Sequence, residues 1–166
     1  MTQYHCETEL KGNSQNVIGK DGLPFGDTWT LAKGTDPTTP RLIRIRENLN
    51  PAVLALTLPH LLRVSWSMLD ETEMGLPSDK ETNELEQFEN ELVPRVEAGG
   101  TCVLAAVITE SGKRHWYFYI SDINAFSEGL HKVPQKKEPY PIEVTRHKNE
   151  GWNLFRELVA GCKGWA

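Results

Sequence analysis

The chain has 166 residues, of which 39% are hydrophobic and 25% are charged. These values are typical of one globular domain and exclude a disordered chain. The formal net charge is −5, which argues against general nucleic-acid binding, because phosphates recruit Lys and Arg. No run approaches the roughly 20 apolar residues that span a bilayer, and the start lacks an apolar export signal. We therefore expect a cytoplasmic protein that does not contact membranes.

The first part of the chain divides into a polar arm and two strands. Residues 1–26 are polar and contain four glycines, which predicts an N-terminal arm with little core of its own. Asp27–Lys33 and Arg41–Glu47 then alternate apolar and polar residues, a pattern that predicts two strands. We expect residues 27–166 to form a single α+β domain.

The main unit of that domain runs from Leu61 to about Lys148. It is predicted as strand, helix, strand, strand, helix, strand. Ser78 and Glu81, which have the spacing of a capping box, mark the start of the first helix, and Asp122 can cap the second. This β-α-β-β-α-β order is the ferredoxin-like pattern, an antiparallel sheet with both helices on one face. A C-terminal helix follows around Trp152. The other sheet face must be wet, covered by the first 60 residues, or covered by another chain.

Several strong chemical signatures are absent from the sequence. There is no phosphate loop, dinucleotide-binding glycine motif or nucleophile elbow, and the five histidines are scattered, so we expect neither a metal nor a cofactor. The three cysteines are far apart and odd in number, which predicts no disulfide framework. They are Cys6, Cys102 and Cys162.

The aromatic strand around His115 is the first candidate site. His115, Tyr117 and Tyr119 share one face of it, as in strands on which nucleic-acid-binding domains stack bases. The favoured alternative is packing beneath the N-terminal strands or in a homodimer interface, since paired strand aromatics usually pack. The candidate binding surface consists of Arg63, Arg114, His115, Tyr117 and Tyr119.

A second hypothesis makes His115 a general base, with Asp122 or Glu143 as its orienting carboxylate. Such a base needs both that partner and a substrate pocket. A small enzyme of this kind is the less favoured interpretation, because a single strand histidine is more often a structural or surface residue.

An acidic stretch is the third candidate. Asp70–Glu97 contains ten acidic and two basic residues, which is typical of a solvated helix face. It also fits a protein partner with a basic surface, and Glu84, Glu86 and Glu91 are the residues we assign to that partner face.

Three segments carry a family resemblance. They are Met74-Gly75-Leu76-Pro77, the spacing of Gly112, Arg114, Trp116 and Tyr119, and Tyr140-Pro141-Ile142-Glu143-Val144 before Trp152. Together they resemble the bacterial domain-of-unknown-function family 695 over roughly Asp27 to Leu158. The resemblance implies a ferredoxin-like fold and brings no established activity.

Some members of that family are similar to the regulator of ribonuclease activity B, a ferredoxin-like protein that inhibits an endoribonuclease by binding it. The resemblance thus implies a regulatory protein-binding role by analogy. We rank a non-enzymatic binding or regulatory module first, a small enzyme second and a single-stranded nucleic-acid binder third.

Overall fold

The structure, a computed structural model, describes residues 4–9, 24–148 and 150–163. The described strands are β1 (Tyr4–Glu9), β2 (Trp29–Gly34), β3 (Arg41–Arg46), β4 (His60–Ser67), β5 (Cys102–Glu110), β6 (Lys113–Ile120) and β7 (Ile142–His147). The described helices are α1 (Pro51–Thr57), α2 (Asp79–Glu97), α3 (Ile123–His131) and α4 (Asn153–Lys163). These strands form one antiparallel sheet in the order β1-β2-β3-β5-β6-β4-β7.

The core is the predicted β-α-β-β-α-β unit. Its strands follow the chain as β4, β5, β6 and β7, and they lie side by side as β5-β6-β4-β7. The α+β class and the ferredoxin-like arrangement are confirmed. The two predicted N-terminal strands are β2 and β3, and β3 extends the sheet beyond β5. Within the segment predicted as a polar arm, β1 pairs with β2, whereas residues 10–23 lie outside the described residues.

Helices α2 and α3 cover one face of the core sheet. Ser78 caps α2 by accepting a hydrogen bond from the backbone N–H of Glu81 at 3.2 Å, as the capping-box spacing predicts. The buried cluster beneath the helices contains many aromatic side chains, which provide the largest buried areas. They are Trp29, Trp66, Phe88, Trp116, Phe118 and Phe126.

The chain itself covers part of the opposite face. Trp152 stacks on Tyr119 with ring centroids 4.0 Å apart, and its indole N–H donates to the carbonyl oxygen of Leu58 at 2.8 Å. Phe155 and Leu158 of α4 continue the same buried cluster. Helix α1, which the sequence analysis does not predict, follows an Asn50 cap and contributes half-buried side chains. Helix α1 belongs to the first 60 residues, which were one of the expected coverings, whereas the cover by α4 was not expected.

Two glycines join the loop before α2 to the turn between β5 and β6. Gly75 and Gly112 both have positive φ, at 75° and 76°, a region that favours glycine. The Gly112 N–H donates to the Gly75 carbonyl oxygen at 2.8 Å, and a Cβ on Gly75 would lie 2.9 Å from the Ser111 Cα. Two of the segments that carry the family resemblance therefore meet here, and their close backbone contact requires glycine.

The cysteines correct one expectation. Cys102 is free and buried, but Cys162 is disulfide-bonded, so the chain contains a disulfide that the cysteine pattern did not predict. Helix α4 contacts β1, which brings the C-terminal end of the chain to the N-terminal strand.

No helix among the described residues is both long and apolar enough to cross a membrane.

Candidate functional site

A polar surface lies on the sheet face opposite α2, beside the part that α4 covers. In the pairing of β4 with β6, Arg63 lies opposite Tyr117 and Ser65 opposite His115. On the other side of β4, Arg63 lies opposite Thr145 of β7. Directly paired residues share a sheet face, so these five side chains form one patch. We call it the His115 surface.

His115 is held by a neighbouring hydroxyl. Its Nδ1 shares a hydrogen bond with the Ser65 Oγ at 2.7 Å, and its ring centroid lies 6.2 Å from that of Tyr117. Burial, and then the positive charge of Arg63, lower the pKa of His115 to about 4. At neutral pH the imidazole is therefore uncharged and is a weak general base.

The carboxylates predicted to orient His115 are not its partners. Asp122 caps α3, where its Oδ1 accepts from the backbone N–H of Asn124 at 2.9 Å. That cap follows the end of β6 that is far from His115. Glu143 is exposed on β7 and lies on the same face, directly opposite Ser65, but β4 separates it from His115. The arrangement that the enzyme hypothesis requires is thus absent from the described residues.

Arg63 is the uncompensated charge of the His115 surface. The side chain is half-buried, and its Nε–H has no hydrogen-bond partner among the described residues. A hydrogen bond with Arg63 opposes the rise in the pKa of the Tyr117 phenol that burial causes. Within the described part of the chain Arg63 forms no ion pair, and an unpaired half-buried cation is costly. Exposed Lys113 adds positive charge nearby.

Two of the five predicted binding residues lie elsewhere. Tyr119 is 0% exposed under Trp152, and burial raises the pKa of its phenol to about 12. It is closed to a ligand. Arg114 lies on the opposite face, where its Nε donates to the Thr109 Oγ1 at 2.9 Å. Arg63, His115 and Tyr117 are the three that the structure brings together.

Ser65 and Thr145 belong to this surface but were not predicted from the sequence. The signal for Ser65 was present, since residues 63, 65 and 67 are the polar positions of an alternating strand. Thr145 became visible only when β7 was placed beside β4, a non-local pairing.

The acidic stretch is split between an inner and an outer face. Glu81, Glu89 and Glu97 point inward: Glu81 and Glu89 accept hydrogen bonds at 2.7 Å from the indole N–H groups of Trp66 and Trp116. Glu97 is fully buried against Arg46. Of the predicted partner face, Glu86 is exposed and Glu84 is half-buried, and Glu91 is tied to Arg95 at 2.6 Å. The outward acidic charge is thus smaller than the sequence count indicates.

These features define a ferredoxin-like α+β domain, extended by further strands, that carries a polar sheet surface around an unpaired arginine. The chain belongs to the family of unknown function DUF695, whose model matches residues 27–159. The family resemblance is confirmed. Neither the search of curated proteins nor that of solved structures found a match, so the further similarity to the regulator of ribonuclease activity B stays a prediction.

Proposed function

We propose that this protein is a non-enzymatic binding module that receives an acidic segment of a protein partner on the His115 surface. The observation that carries the proposal is Arg63, which is half-buried, lacks an ion pair among the described residues and has an unsatisfied Nε–H. A carboxylate from a partner would supply the missing opposite charge. In this proposal the module regulates its partner by binding it and not by catalysing a reaction.

The chemistry of His115 favours binding over catalysis. A histidine with a pKa of about 4 is neutral at pH 7, so it offers a directional hydrogen bond rather than a proton-transfer group matched to that pH. Ser65 fixes the ring at 2.7 Å, which holds the nitrogen in one orientation. A preorganised, neutral polar group beside a cation is well suited to recognising a carboxylate side chain.

The aromatic content of the surface favours a protein over single-stranded nucleic acid. Nonspecific single-strand binders stack successive bases on several aromatic rings in a basic groove. Here Tyr117 is half-buried and accessible, but Tyr119 is 0% exposed.

The test uses an octaglutamate peptide and an octauridine RNA, titrated at low salt while backbone amide shifts are followed by NMR. We expect the peptide to shift amides of β4 and β6 around Arg63. The substitution Arg63→Gln should weaken peptide binding about tenfold, the loss of one charged hydrogen bond. Arg146→Gln is the matched control, because Arg146 is exposed on β7 and lies opposite Leu62 of the helix-covered face.

Three outcomes would overturn the proposal. Equal weakening by both variants means nonspecific attraction, and tighter binding of the RNA means a nucleic-acid binder. Shifts on the outer face of α2 with an octalysine peptide, and none around Arg63 with octaglutamate, would instead place the site on the predicted acidic face. That face would then bind a basic partner through Glu84, Glu86 and Glu91.

A further inference from the structure

A groove of about 460 Å³ runs between α2 and the strands that extend the sheet. It exists because β2 and β3 continue the sheet past β5, while α2 lies over the core strands. Its floor includes the apolar side chains of Leu31, Leu42 and Val107, and Glu86 and Glu89 of α2 form part of its wall. We call it the α2 groove. It lies on the sheet face opposite the His115 surface.

Three cationic side chains line the α2 groove: Lys33, Arg44 and Arg114. Arg44 is already matched, since it pairs with Glu89, whose carboxylate also accepts the Trp116 indole N–H at 2.7 Å. That ion pair is part of the wall and is not a free charge.

Arg114 is not matched in this way. Its Nε donates to the Thr109 Oγ1 at 2.9 Å, and it forms no ion pair with a carboxylate among the described residues. Burial and then the repulsion of Arg44 lower the pKa of its guanidinium, and the nearby negative charges of Glu89 and Glu86 oppose this shift only in part. A partly buried guanidinium beside a second one is stabilised by an anion, and its planar donors suit carboxylate and phosphate oxygens. Exposed Lys33 at the rim adds a second positive charge.

We propose that the α2 groove binds a small organic oxyanion, with its carboxylate or phosphate at Arg114 and Lys33 and its apolar part on Leu31 and Leu42. A concave site with an apolar floor and a few fixed polar groups is typical of small-molecule sites. Glu86 at the rim is the opposing charge and limits affinity. This site is independent of the proposed function, because the two lie on opposite sheet faces.

The probes are benzoate, phenyl phosphate and phenol, which share one ring and differ in the anionic group. Each is titrated into the full chain, and the amide shifts of Leu42, Asn90 and Thr109 are followed by NMR. We expect both anions to shift these amides and phenol to bind at least tenfold more weakly. The ratio of the two anion affinities distinguishes a carboxylate from a phosphate ligand. Phenol binding as tightly as the anions would overturn the proposal.

The variants separate this site from the His115 surface. Arg114→Gln should weaken the preferred anion at least tenfold, as expected for loss of a charged hydrogen-bonding group, while Arg63→Gln leaves its affinity unchanged. Glu86→Gln should tighten binding several-fold. If Arg114→Gln does not fold, Lys33→Gln on the exposed rim takes its place. The assignment is contradicted if folded Arg114→Gln or Lys33→Gln binds the anion with unchanged affinity. It is also contradicted if Arg63→Gln weakens anion binding equally.

Discussion

On the α2 face, Arg46 is 1% exposed and pairs with Glu97, which is 0% exposed. On the other face, Arg63 is half-buried and pairs with no carboxylate among the described residues. The difference comes from the covering elements. Helix α2 points glutamates at the sheet, so arginines of β3 are matched within the fold. Among the described residues, no helix supplies a carboxylate that pairs with Arg63. Arg46 is thus structural, whereas Arg63 is available for a ligand.

The Arg46 network shows how completely a buried charge is satisfied beneath α2. Besides Glu97, its guanidinium donates to the carbonyl oxygens of Gly26 and Leu104, and the Glu97 Oε1 accepts from the Leu104 N–H at 3.0 Å. Every donor and acceptor there has a use, as buried charge requires. Arg63, with its unsatisfied Nε–H, departs from that pattern.

The largest expected effect is the loss of the buried pair. Arg46→Met should lower the free energy of unfolding by about 3–5 kcal/mol, because Glu97 is left buried without its partner. The control is Arg41→Met on the other face, where Arg41 and Glu110 lie 3.1 Å apart and are partly exposed. That change should cost at most about 1 kcal/mol. Urea unfolding gives both values, and equal costs would contradict the contrast between the faces.

The disulfide at Cys162 distinguishes the two coverings in another way. Helix α2 is held by packing and ion pairs, whereas α4 also carries a covalent bond. Without reductant, Cys162→Ser should destabilise the chain by about 2–4 kcal/mol, since a disulfide restricts the unfolded state. Thermal unfolding with and without dithiothreitol measures this. Cys102→Ser, at the free buried thiol, is the control whose effect should not depend on the reductant.

A Cys162→Ser effect that persists unchanged in reductant would mean that the bond does not stabilise the fold. The result also bears on location. Disulfides are rare in the cytoplasm, so a bond that forms and persists in the native cell would count against the expected cytoplasmic location.

How much the sequence could predict differs along these same lines. The alternation of β4 and β6 and the capping box of α2 are local patterns, and they predicted the core correctly. The same alternation places the side chains of Arg114 and His115 on opposite faces of the sheet. The assignment of both residues to one candidate binding surface was therefore avoidable. Local sequence could not predict whether the Tyr119 side chain is exposed, because its burial depends on where Trp152 lies.

The inward glutamates of α2 were hidden by their chemistry. An amphipathic pattern assigns glutamate to the solvated face, and only the arginines of β3 make Glu89 and Glu97 suitable for the sheet side. Strand β3 reaches them because it pairs with β5, far away in sequence. For these glutamates, what local patterns failed to predict was a contact between distant segments.

The smallest expected effect is a pH dependence at the His115 surface. The folded chain holds the pKa of His115 at about 4, below its usual 6.5, so between these values the unfolded state binds the proton and the folded state does not. Stability contributed by neutral His115 is therefore present above pH 6.5 and is lost as the pH falls toward 4. After allowance for solvent screening of this half-exposed ring, the loss is at most about 1 kcal/mol.

NMR titration of the His115 ring measures the shift directly, and a midpoint near 6.5 would contradict it. The cause is tested by Arg63→Gln. Because Arg63 is the leading charge that lowers this pKa after burial, the variant should raise the midpoint, whereas Arg146→Gln on the helix-covered face should not. Saturating octaglutamate should also raise it in the native chain, since a carboxylate at Arg63 offsets the same charge. An unchanged midpoint with bound peptide would place that peptide away from Arg63.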